Sequence, residues 1–191
     1  MKKTKISKCL LCEYEGKMKT KSVIDNRYIL MCPKCKFEFM NPIPTDEEIK
    51  NIYSKNYFGS WGIGDGETKE VANMKKDTFK HILNGITPYV KSGNILDVGT
   101  ATGFLLEEAQ KLGFEPYGIE ISEYASSIAK SKFGEDKIYN GTLETQVFKE
   151  NFFDLITMCD VIEHVKDPIN TLIIANKLLR NTSHYTGGGI Y

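Results

Sequence analysis

The segment NILDVGTATGFLL, residues 94–106, decides the fold of this chain. Ile95 to Val98 is a short apolar run typical of a buried strand, and Gly99 to Gly103 is a tight turn in which the backbone can approach a ligand closely. A helix follows, and its buried face is predicted to consist of Leu105, Leu106, Ala109 and Leu112. This strand–turn–helix order predicts an α/β fold with a parallel sheet.

The next strand, predicted from Pro116 to Glu120, ends in a carboxylate 17 residues after Gly103. An acid at this position is where an α/β fold holds a nucleoside ribose, because a carboxylate accepts hydrogen bonds from both hydroxyls. A dinucleotide site requires G-x-G-x-x-G, whereas residues 99–103 follow G-x-A-x-G. Asp97 would repel a pyrophosphate and suits a ligand with cationic groups, such as S-adenosylmethionine with its ammonium and sulfonium.

Four of the five cysteines form two Cys-x-x-Cys pairs, Cys9 with Cys12 and Cys32 with Cys35, separated by 19 residues. This spacing is typical of a zinc site, because two short turns can aim four thiolates at one tetrahedral ion. Four sulfur ligands leave no position for a catalytic water, so the expected Zn²⁺ is structural. A redox role for the Cys-x-x-Cys pairs is the alternative.

The composition of the 191 residues is that of an ordinary globular protein, with 41% hydrophobic and 26% charged residues and no formal net charge. Residues 1–40 carry ten basic and four acidic side chains, which predicts a modular chain. No apolar run approaches the roughly 18 residues of a membrane span, and the N-terminus lacks the apolar core of a signal peptide. We therefore expect a cytoplasmic protein without a membrane partner.

Three stretches resemble the class I S-adenosylmethionine-dependent methyltransferases. LDVGTATG (96–103) resembles their first motif, YGIEIS (117–122) their second, and FDLITMCDVIEHVKDP (153–168) the stretch after their fourth strand. The cysteine pairs followed by NPIPTDEEIKNIYSKNYF (41–58) resemble a subgroup with an N-terminal zinc-binding module, whose members often act in sugar or polysaccharide biosynthesis. The resemblance implies methyl transfer to a small-molecule acceptor, such as a sugar or another biosynthetic intermediate.

The resemblance also implies the architecture, namely a Rossmann-like, mostly parallel sheet flanked by helices after a small zinc-ribbon module. Three parts are expected: a zinc-ribbon-like module (1–41), a helical connector and lid (42–92), and a methyltransferase domain that binds S-adenosylmethionine (93–191). Relatives have three further strands. We therefore expect a truncated or frameshifted chain after Arg180 that binds its cofactor weakly, with residues 153–158 as an apolar sheet edge prone to dimerisation or aggregation.

Site residues carried over from the family motifs divide by the part of the cofactor that they would contact. The residues for the methionine half are Asp97, Gly99, Ala101 and Gly103, and those for the ribose and adenine are Glu120, Ile121, Thr142, Leu143 and Glu144. Thr100, in the same turn, is a further cofactor-binding candidate. Beside the transferable methyl group, the resemblance implies Met158, Cys159 and Asp160, with Tyr57 closing over the cofactor. Ala101 departs from the family pattern, in which glycine is more frequent.

His164 is the candidate catalytic residue, as a general base that would accept a proton from an attacking hydroxyl. The alternative is that Glu163 and His164 brace the loop after the fourth strand, since transfer of an activated methyl group is mostly a matter of positioning. Cys159 is interpreted as a small buried side chain rather than a catalytic thiol.

Further helices and strands are predicted from caps and apolar spacing. Thr45 and Glu48 form a capping box, and Asp167 with Pro168 begins a later helix. The segment 23–32 is predicted to be one strand, and a long helix is expected from about Glu67 to Val90 after a glycine-rich loop that contains Trp61. The apolar faces of the three helices are predicted to be Ile49, Ile52 and Tyr53; Val71, Met74, Phe79, Ile82, Leu83 and Ile86; and Ile169, Leu172, Ile173 and Leu179.

Two other functions compete with small-molecule methylation. The basic N-terminus favours a zinc-ribbon RNA methyltransferase, and the expected truncation favours an inactive cofactor-binding remnant. A nucleic-acid surface is usually rich in arginine and exposed aromatic residues. Residues 1–40 contain one arginine, Arg27, and their aromatic residues follow the strand pattern, so a nucleic-acid partner is not expected.

Overall fold

The computed structural model describes residues 5–53, 57, 59 and 68–180, and it contains two separate β-sheets. The first sheet is antiparallel, in the order β1 (Lys19–Ile24), β2 (Arg27–Met31) and β3 (Glu38–Asn41). The second sheet is parallel and consists, from edge to edge, of β6 (Ile138–Asn140), β5 (Phe114–Glu120), β4 (Gly93–Val98) and β7 (Leu155–Thr157). The described helices are α1 (Asp46–Ile52), α2 (Lys69–Ile86), α3 (Phe104–Lys111), α4 (Glu123–Phe133) and α5 (Pro168–Leu178).

The segment predicted to be one strand over residues 23–32 is a hairpin. Asp25 and Asn26 adopt left-handed conformations, with φ of 47° and 60°, and Val23 pairs with Tyr28 across the turn. Two consecutive left-handed residues match the turn that connects adjacent antiparallel strands, and the short side chains of Asp and Asn tolerate this conformation. The single-strand prediction was therefore wrong at this turn.

Helix ends follow the predicted caps closely. The Thr45 side chain accepts a hydrogen bond from the Glu48 N–H, and the Glu48 carboxylate accepts one from the Thr45 N–H, so the capping box is confirmed. Helix α2 begins after the N-cap residue Thr68 and ends at Ile86, earlier than the expected Val90, just before Pro88. The glycine-rich loop with Trp61 and the chain after Arg180 lie outside the described residues.

The parallel sheet places alternate residues of each strand in different apolar clusters. Ile95 and Leu155 pack with α2, α3 and α4, whereas Leu96 and Ile156 pack with α5 and the aromatic residues before β7. Helices α3 and α4 connect β4 to β5 and β5 to β6, and these strands are parallel, as expected for a Rossmann-like sheet. The fold class predicted from residues 94–120 is confirmed.

Helix α5 buries a different face from the one predicted. Its buried residues are Thr171, Ala175 and Leu178, at i, i+4 and i+7. The predicted core residues Ile169, Leu172 and Ile173 are exposed, and Leu179 follows the helix end. Because α5 is apolar on most of its circumference, residue type alone could not identify the face that meets the sheet.

Strand β7 has one strand neighbour, β4, within the part of the chain that the structure describes. The Arg180 N–H donates a 2.7 Å hydrogen bond to the Phe153 carbonyl, just before β7, and Phe153 forms a parallel bridge with Leu179. The chain after α5 therefore returns to this edge. None of the described helices has the length and hydropathy that crossing a bilayer would require.

Candidate cofactor site and cysteine cluster

A cavity of about 520 Å³ lies at the carboxyl ends of the four parallel strands. Its volume falls within the range of about 300–1,000 Å³ typical of small-molecule sites. The cavity occupies the place where ligands bind in open α/β sheets, because the strand order reverses beside β4. The predicted site residues in its wall are Tyr57, Gly99, Ala101, Glu120, Ile121, Thr142, Leu143, Glu144, Cys159, Asp160 and His164.

The turn after β4 forms the floor of this cavity. Gly99 has φ of 76°, and a Cβ atom at this position would lie 2.5 Å from the Val161 Cγ2 atom, so only glycine fits without displacement. Ala101 is also left-handed, with φ of 51°, which costs an L-residue about 1 kcal/mol. Gly103 is left-handed as well and precedes α3, but it does not line the cavity.

The Glu120 carboxylate at the end of β5 is 5% exposed and lines the cavity. One carboxylate oxygen accepts a 2.8 Å hydrogen bond from the Ala101 N–H, and the other accepts a 2.8 Å bond from the Ser122 N–H. Burial raises the pKa of Glu120, and the backbone donors oppose this rise. These bonds orient both oxygens, and each oxygen keeps a lone pair for a ligand hydroxyl.

Asp97 is enclosed behind the turn and does not line the cavity. Its carboxylate accepts a 2.7 Å hydrogen bond from the Thr157 hydroxyl on the neighbouring strand. Burial raises the pKa of Asp97 to about 7, and the nearby Glu120 adds to this rise. Thr100 is likewise buried outside the cavity wall.

The segments after β6 and β7 supply two further walls. Glu144 lies in a 3₁₀ turn over Leu143–Thr145, and its carboxylate accepts a 2.6 Å hydrogen bond from the hydroxyl of Thr171. Thr171 is fully buried on α5 and also lines the cavity. The α5 hydroxyl therefore holds the Glu144 side chain against the wall.

The residues after β7 include a cysteine that is half-buried in the cavity wall. Burial raises the pKa of Cys159 to about 12, and the charges of Asp97 and Asp160 contribute in the same direction. The Cys159 side chain therefore stays a neutral thiol at physiological pH, which favours its interpretation as a small packing residue. Met158, also predicted at the site, is buried in the core and does not line the cavity.

Aromatic side chains form the opposite wall. Tyr53, at the end of α1, has its ring centroid 5.1 Å from that of Tyr57 and 6.3 Å from that of His164, in edge-to-face arrangements. Burial raises the pKa of the Tyr53 hydroxyl, as do Tyr57 and the carboxylates of Glu120 and Glu163. Tyr53 is therefore a neutral hydrogen-bonding group beside the imidazole of His164.

Several wall residues were not identified from the sequence as site residues. They are Ile49, Tyr53, Val98, Ile119, Gly141, Thr145, Val161, Val165, Lys166, Asp167 and Thr171. The sequence predicts Ile49 and Tyr53 on the apolar face of α1 and Asp167 at a helix cap, and these structural roles explain the three residues without a ligand. The tertiary structure places these three residues in the cavity wall.

The acidic character of the wall limits which ligands fit. The carboxylates of Glu120, Glu144, Asp160 and Asp167 line the cavity, against one lysine, Lys166. This surplus of negative charge attracts a cationic ligand and opposes a pyrophosphate. Together with a carboxylate for the ribose hydroxyls, the wall fits S-adenosylmethionine better than a dinucleotide.

The four N-terminal cysteines converge on one point, with their sulfur atoms all within 4.8 Å of one another. The Cys9–Cys35 and Cys12–Cys32 sulfur pairs are each 3.6 Å apart, too far for a disulfide. Four thiolates around Zn²⁺ at about 2.3 Å would have sulfur–sulfur distances of about 3.8 Å. The cluster therefore fits a structural zinc ion with Cys9, Cys12, Cys32 and Cys35 as ligands.

The two cysteine pairs share one turn geometry. The Cys9 N–H bonds to the Tyr14 carbonyl and the Cys32 N–H to the Phe37 carbonyl, both at 2.9 Å, and Glu13 and Lys36 are left-handed at the matching position. Burial acts to raise the pKa of Cys32, but hydrogen bonds from the backbone and from the other sulfurs lower it to about 6. The backbone hydrogen bond from Phe37 acts to lower the pKa of Cys35, but burial and hydrogen bonds with the other sulfurs raise it to about 12. Binding of Zn²⁺ would therefore release protons from the cluster.

A parallel sheet with helices on both faces and an acid-lined cavity at the strand ends is typical of Rossmann-like proteins with a nucleoside cofactor. Residues 74–185, more than half of the chain, match the family described as "Methyltransferase domain". The chain therefore belongs to the class I S-adenosylmethionine-dependent methyltransferases.

Known proteins are similar to this chain in sequence or in fold. The chain is 27% identical over 125 residues to a ubiquinone biosynthesis O-methyltransferase of Nitrosococcus oceani, covering 63% of this chain and 52% of the relative. The fold is similar to that of the magnesium protoporphyrin IX methyltransferase of Synechocystis PCC 6803, solved with bound S-adenosylmethionine (TM-score 0.55, 19% identity, 73% of this chain and 74% of that one). A protein of Pyrococcus horikoshii OT3 is similar as well (TM-score 0.54, 23% identity, 66% and 61%). The chain spans about half the length of the curated relative.

Proposed function

We propose that the chain binds S-adenosylmethionine in the cavity at the strand ends and transfers its methyl group to a small-molecule acceptor. The observation that carries the proposal is the Glu120 carboxylate, buried at the end of β5 and oriented by the Ala101 and Ser122 N–H groups. When bound, the cofactor would supply an activated methyl group on a sulfonium. Glu120 would hold the ribose hydroxyls, and Gly99 and Ala101 would lie against the methionine half.

The experiment is isothermal titration of the purified chain with S-adenosylhomocysteine and, separately, with NADH. We expect binding of S-adenosylhomocysteine and none of NADH, because the acidic wall opposes a pyrophosphate. Saturable NADH binding with no response to S-adenosylhomocysteine would overturn the assignment.

The acceptor proposed is a sugar or another small biosynthetic intermediate. The wall formed by Ile49, Tyr53, Tyr57 and Val165 offers apolar and aromatic surface for a small ring, and His164 lies among these residues. The Nitrosococcus oceani relative is named for an O-methylation in ubiquinone biosynthesis, which also involves a small molecule. Methyl transfer from labelled cofactor, measured separately with a sugar and with a phenol as acceptor, distinguishes a sugar acceptor from another small intermediate.

His164 has two candidate roles in this reaction. As a general base, its imidazole would accept the proton of an acceptor hydroxyl during transfer of the methyl group. As a bracing residue, it would hold the wall through its contact with the Tyr53 ring. His164→Gln distinguishes them: loss of a base lowers kcat, whereas loss of a brace raises KM.

An RNA acceptor is the second candidate, supported by the basic N-terminal residues. Two of those lysines, however, are paired within the same module, Lys8 with Glu13 at 2.5 Å and Lys21 with Glu38 at 3.7 Å. Such pairing reduces the charge available to phosphates. RNA binding whose affinity falls steeply with salt would favour this alternative.

A further inference from the structure

The Glu48 side chain connects helix α1 to the cysteine module (residues 5–41). One oxygen of the Glu48 carboxylate accepts a 2.8 Å hydrogen bond from the Thr45 N–H and closes the capping box. The other oxygen accepts a 2.6 Å hydrogen bond from the Arg27 guanidinium. Because Arg27 is the first residue of β2, this ion pair ties the start of α1 to the β1–β2 hairpin.

The same helix reaches the cavity within one turn. Ile49, the residue after Glu48, lines the cavity, and so does Tyr53 at the helix end. The Tyr53 ring in turn contacts the rings of Tyr57 and His164. A displacement of α1 would therefore move the aromatic wall.

Helix α1 is too short to hold its position alone. It has seven residues, and isolated helices of that length are marginal in water. The Arg27 side chain is 17% exposed and that of Glu48 is 37% exposed, so water screens this pair less than a fully exposed one. The pair is thus a polar anchor for the start of α1.

We propose that Arg27 is a positioning residue for the cofactor cavity, acting through Glu48 to hold Ile49 and Tyr53 in the wall. Through this ion pair, the cysteine module contributes to the affinity of the cavity for its ligand. The identity of that ligand rests on the proposed function, but the anchoring of α1 does not. Arg27 itself is not part of the cavity wall.

The test compares hydrogen–deuterium exchange and S-adenosylhomocysteine affinity in four variants of the full chain. Arg27→Ala removes the guanidinium, and Arg27→Lys keeps a cation. Glu48→Gln weakens the ion pair and keeps a side chain that suits a capping box. Lys21→Ala is the matched control, because it breaks the exposed pair with Glu38 in the same module.

We expect amides of residues 46–53 to exchange at least about threefold faster in Arg27→Ala and Glu48→Gln, with residues 93–120 unchanged. The dissociation constant should rise about three- to tenfold in these two variants and stay within about 1.5-fold in Arg27→Lys and Lys21→Ala. If Arg27→Ala also raises the exchange rates of residues 27–41, the result for Glu48→Gln decides whether the ion pair anchors α1, because Glu48 lies outside the cysteine module.

Unchanged exchange over residues 46–53 in both variants would overturn the proposal, and so would faster exchange with unchanged affinity. If the unaltered chain binds no S-adenosylhomocysteine, the proposed function fails. The exchange data then decide by themselves whether Arg27 anchors α1.

Discussion

The Thr157 hydroxyl donates a 2.7 Å hydrogen bond to the Asp97 carboxylate across the β4–β7 strand pair. Both side chains are buried, with exposed fractions of 0% for Thr157 and 4% for Asp97. The bond joins the strand that enters the glycine turn to the strand that precedes Cys159 and Asp160. It therefore ties together two walls of the cavity.

Thr157→Val should destabilise the fold, since it removes the hydrogen bond and leaves the shape unchanged. The expected loss is about 1 kcal/mol at pH 5, where Asp97 is protonated, and about 2–3 kcal/mol at pH 8.5, where it is charged. Urea unfolding at the two pH values measures the difference. Thr157→Ser keeps the hydroxyl and should show no such pH dependence, and an equal loss at both pH values in Thr157→Val would contradict the assigned partner.

Asp97→Asn should change how stability depends on pH. The pKa of Asp97 is about 7 in the folded chain and 3.8 as the ordinary value, so the folded state keeps a proton that the unfolded state loses between these values. The contribution of this retained proton to the free energy of unfolding is fully present below pH 3.8. It is lost as pH rises towards 7, and the total loss is at most about 4 kcal/mol.

The measurement is the difference in unfolding free energy between Asp97→Asn and the unaltered chain from pH 4 to 8. As pH rises to about 7, Asp97→Asn should become more stable relative to the unaltered chain, and above about pH 7 the difference should level off. Other titrating groups affect both proteins equally, so their contributions cancel in this difference. One of them is Glu107, whose pKa is lowered and whose contribution to stability therefore rises with pH. A flat difference would show that Asp97 titrates normally.

Gly99→Ala should be more damaging than Gly113→Ala, although both glycines are left-handed, with φ of 76° and 89°. Both substitutions carry a backbone cost of about 1 kcal/mol. A Cβ at Gly99 also meets Val161, at an additional cost of about 1–3 kcal/mol, whereas nothing lies within 4 Å at Gly113. Thermal unfolding measures both, and Val161→Ala should partly rescue Gly99→Ala. Equal losses at the two glycines would rule out the Val161 contact.

Glu120→Gln should weaken S-adenosylhomocysteine binding at least about tenfold, because the ribose loses a charged acceptor. Glu115→Gln is the matched control on the same strand, where the carboxylate pairs with Lys137 at the surface. Titration calorimetry should give the control an affinity within about twofold of the unaltered chain. Equal affinities for all three proteins would place the ribose elsewhere.

Cys35→Ser should abolish stoichiometric zinc binding, because three sulfurs no longer complete the tetrahedral site. Cys159→Ser leaves the cluster intact and should retain about one zinc per chain in elemental analysis. Chelation should lower the unfolding temperature of the unaltered chain and leave that of Cys35→Ser unchanged. Full zinc occupancy in Cys35→Ser would refute the ligand set.

Local patterns in the amino-acid sequence determine much of this protein. Residues 94–106 specify strand, turn and helix through short-range apolar spacing and glycine, and Glu120 marks the end of the next strand. The cap at Thr45 and the cysteine spacing are equally local. These features depend on neighbours a few residues apart, and that is why the sequence predicted the fold class, the cofactor class and the candidate zinc ligands.

Tertiary packing decided what those patterns could not. It enclosed Asp97 behind the turn, brought Ile49 and Tyr53 to the cavity, and turned Thr171 rather than Ile173 towards the core. Each outcome depends on which distant element covers a side chain. The apolar spacing within α1 or α5 does not indicate which element will pack against that helix. The sequence by itself determined most of the elements and the candidate ligands, and the tertiary structure, which brings residues of α1 and α5 to the strand ends, determined the shape of the site.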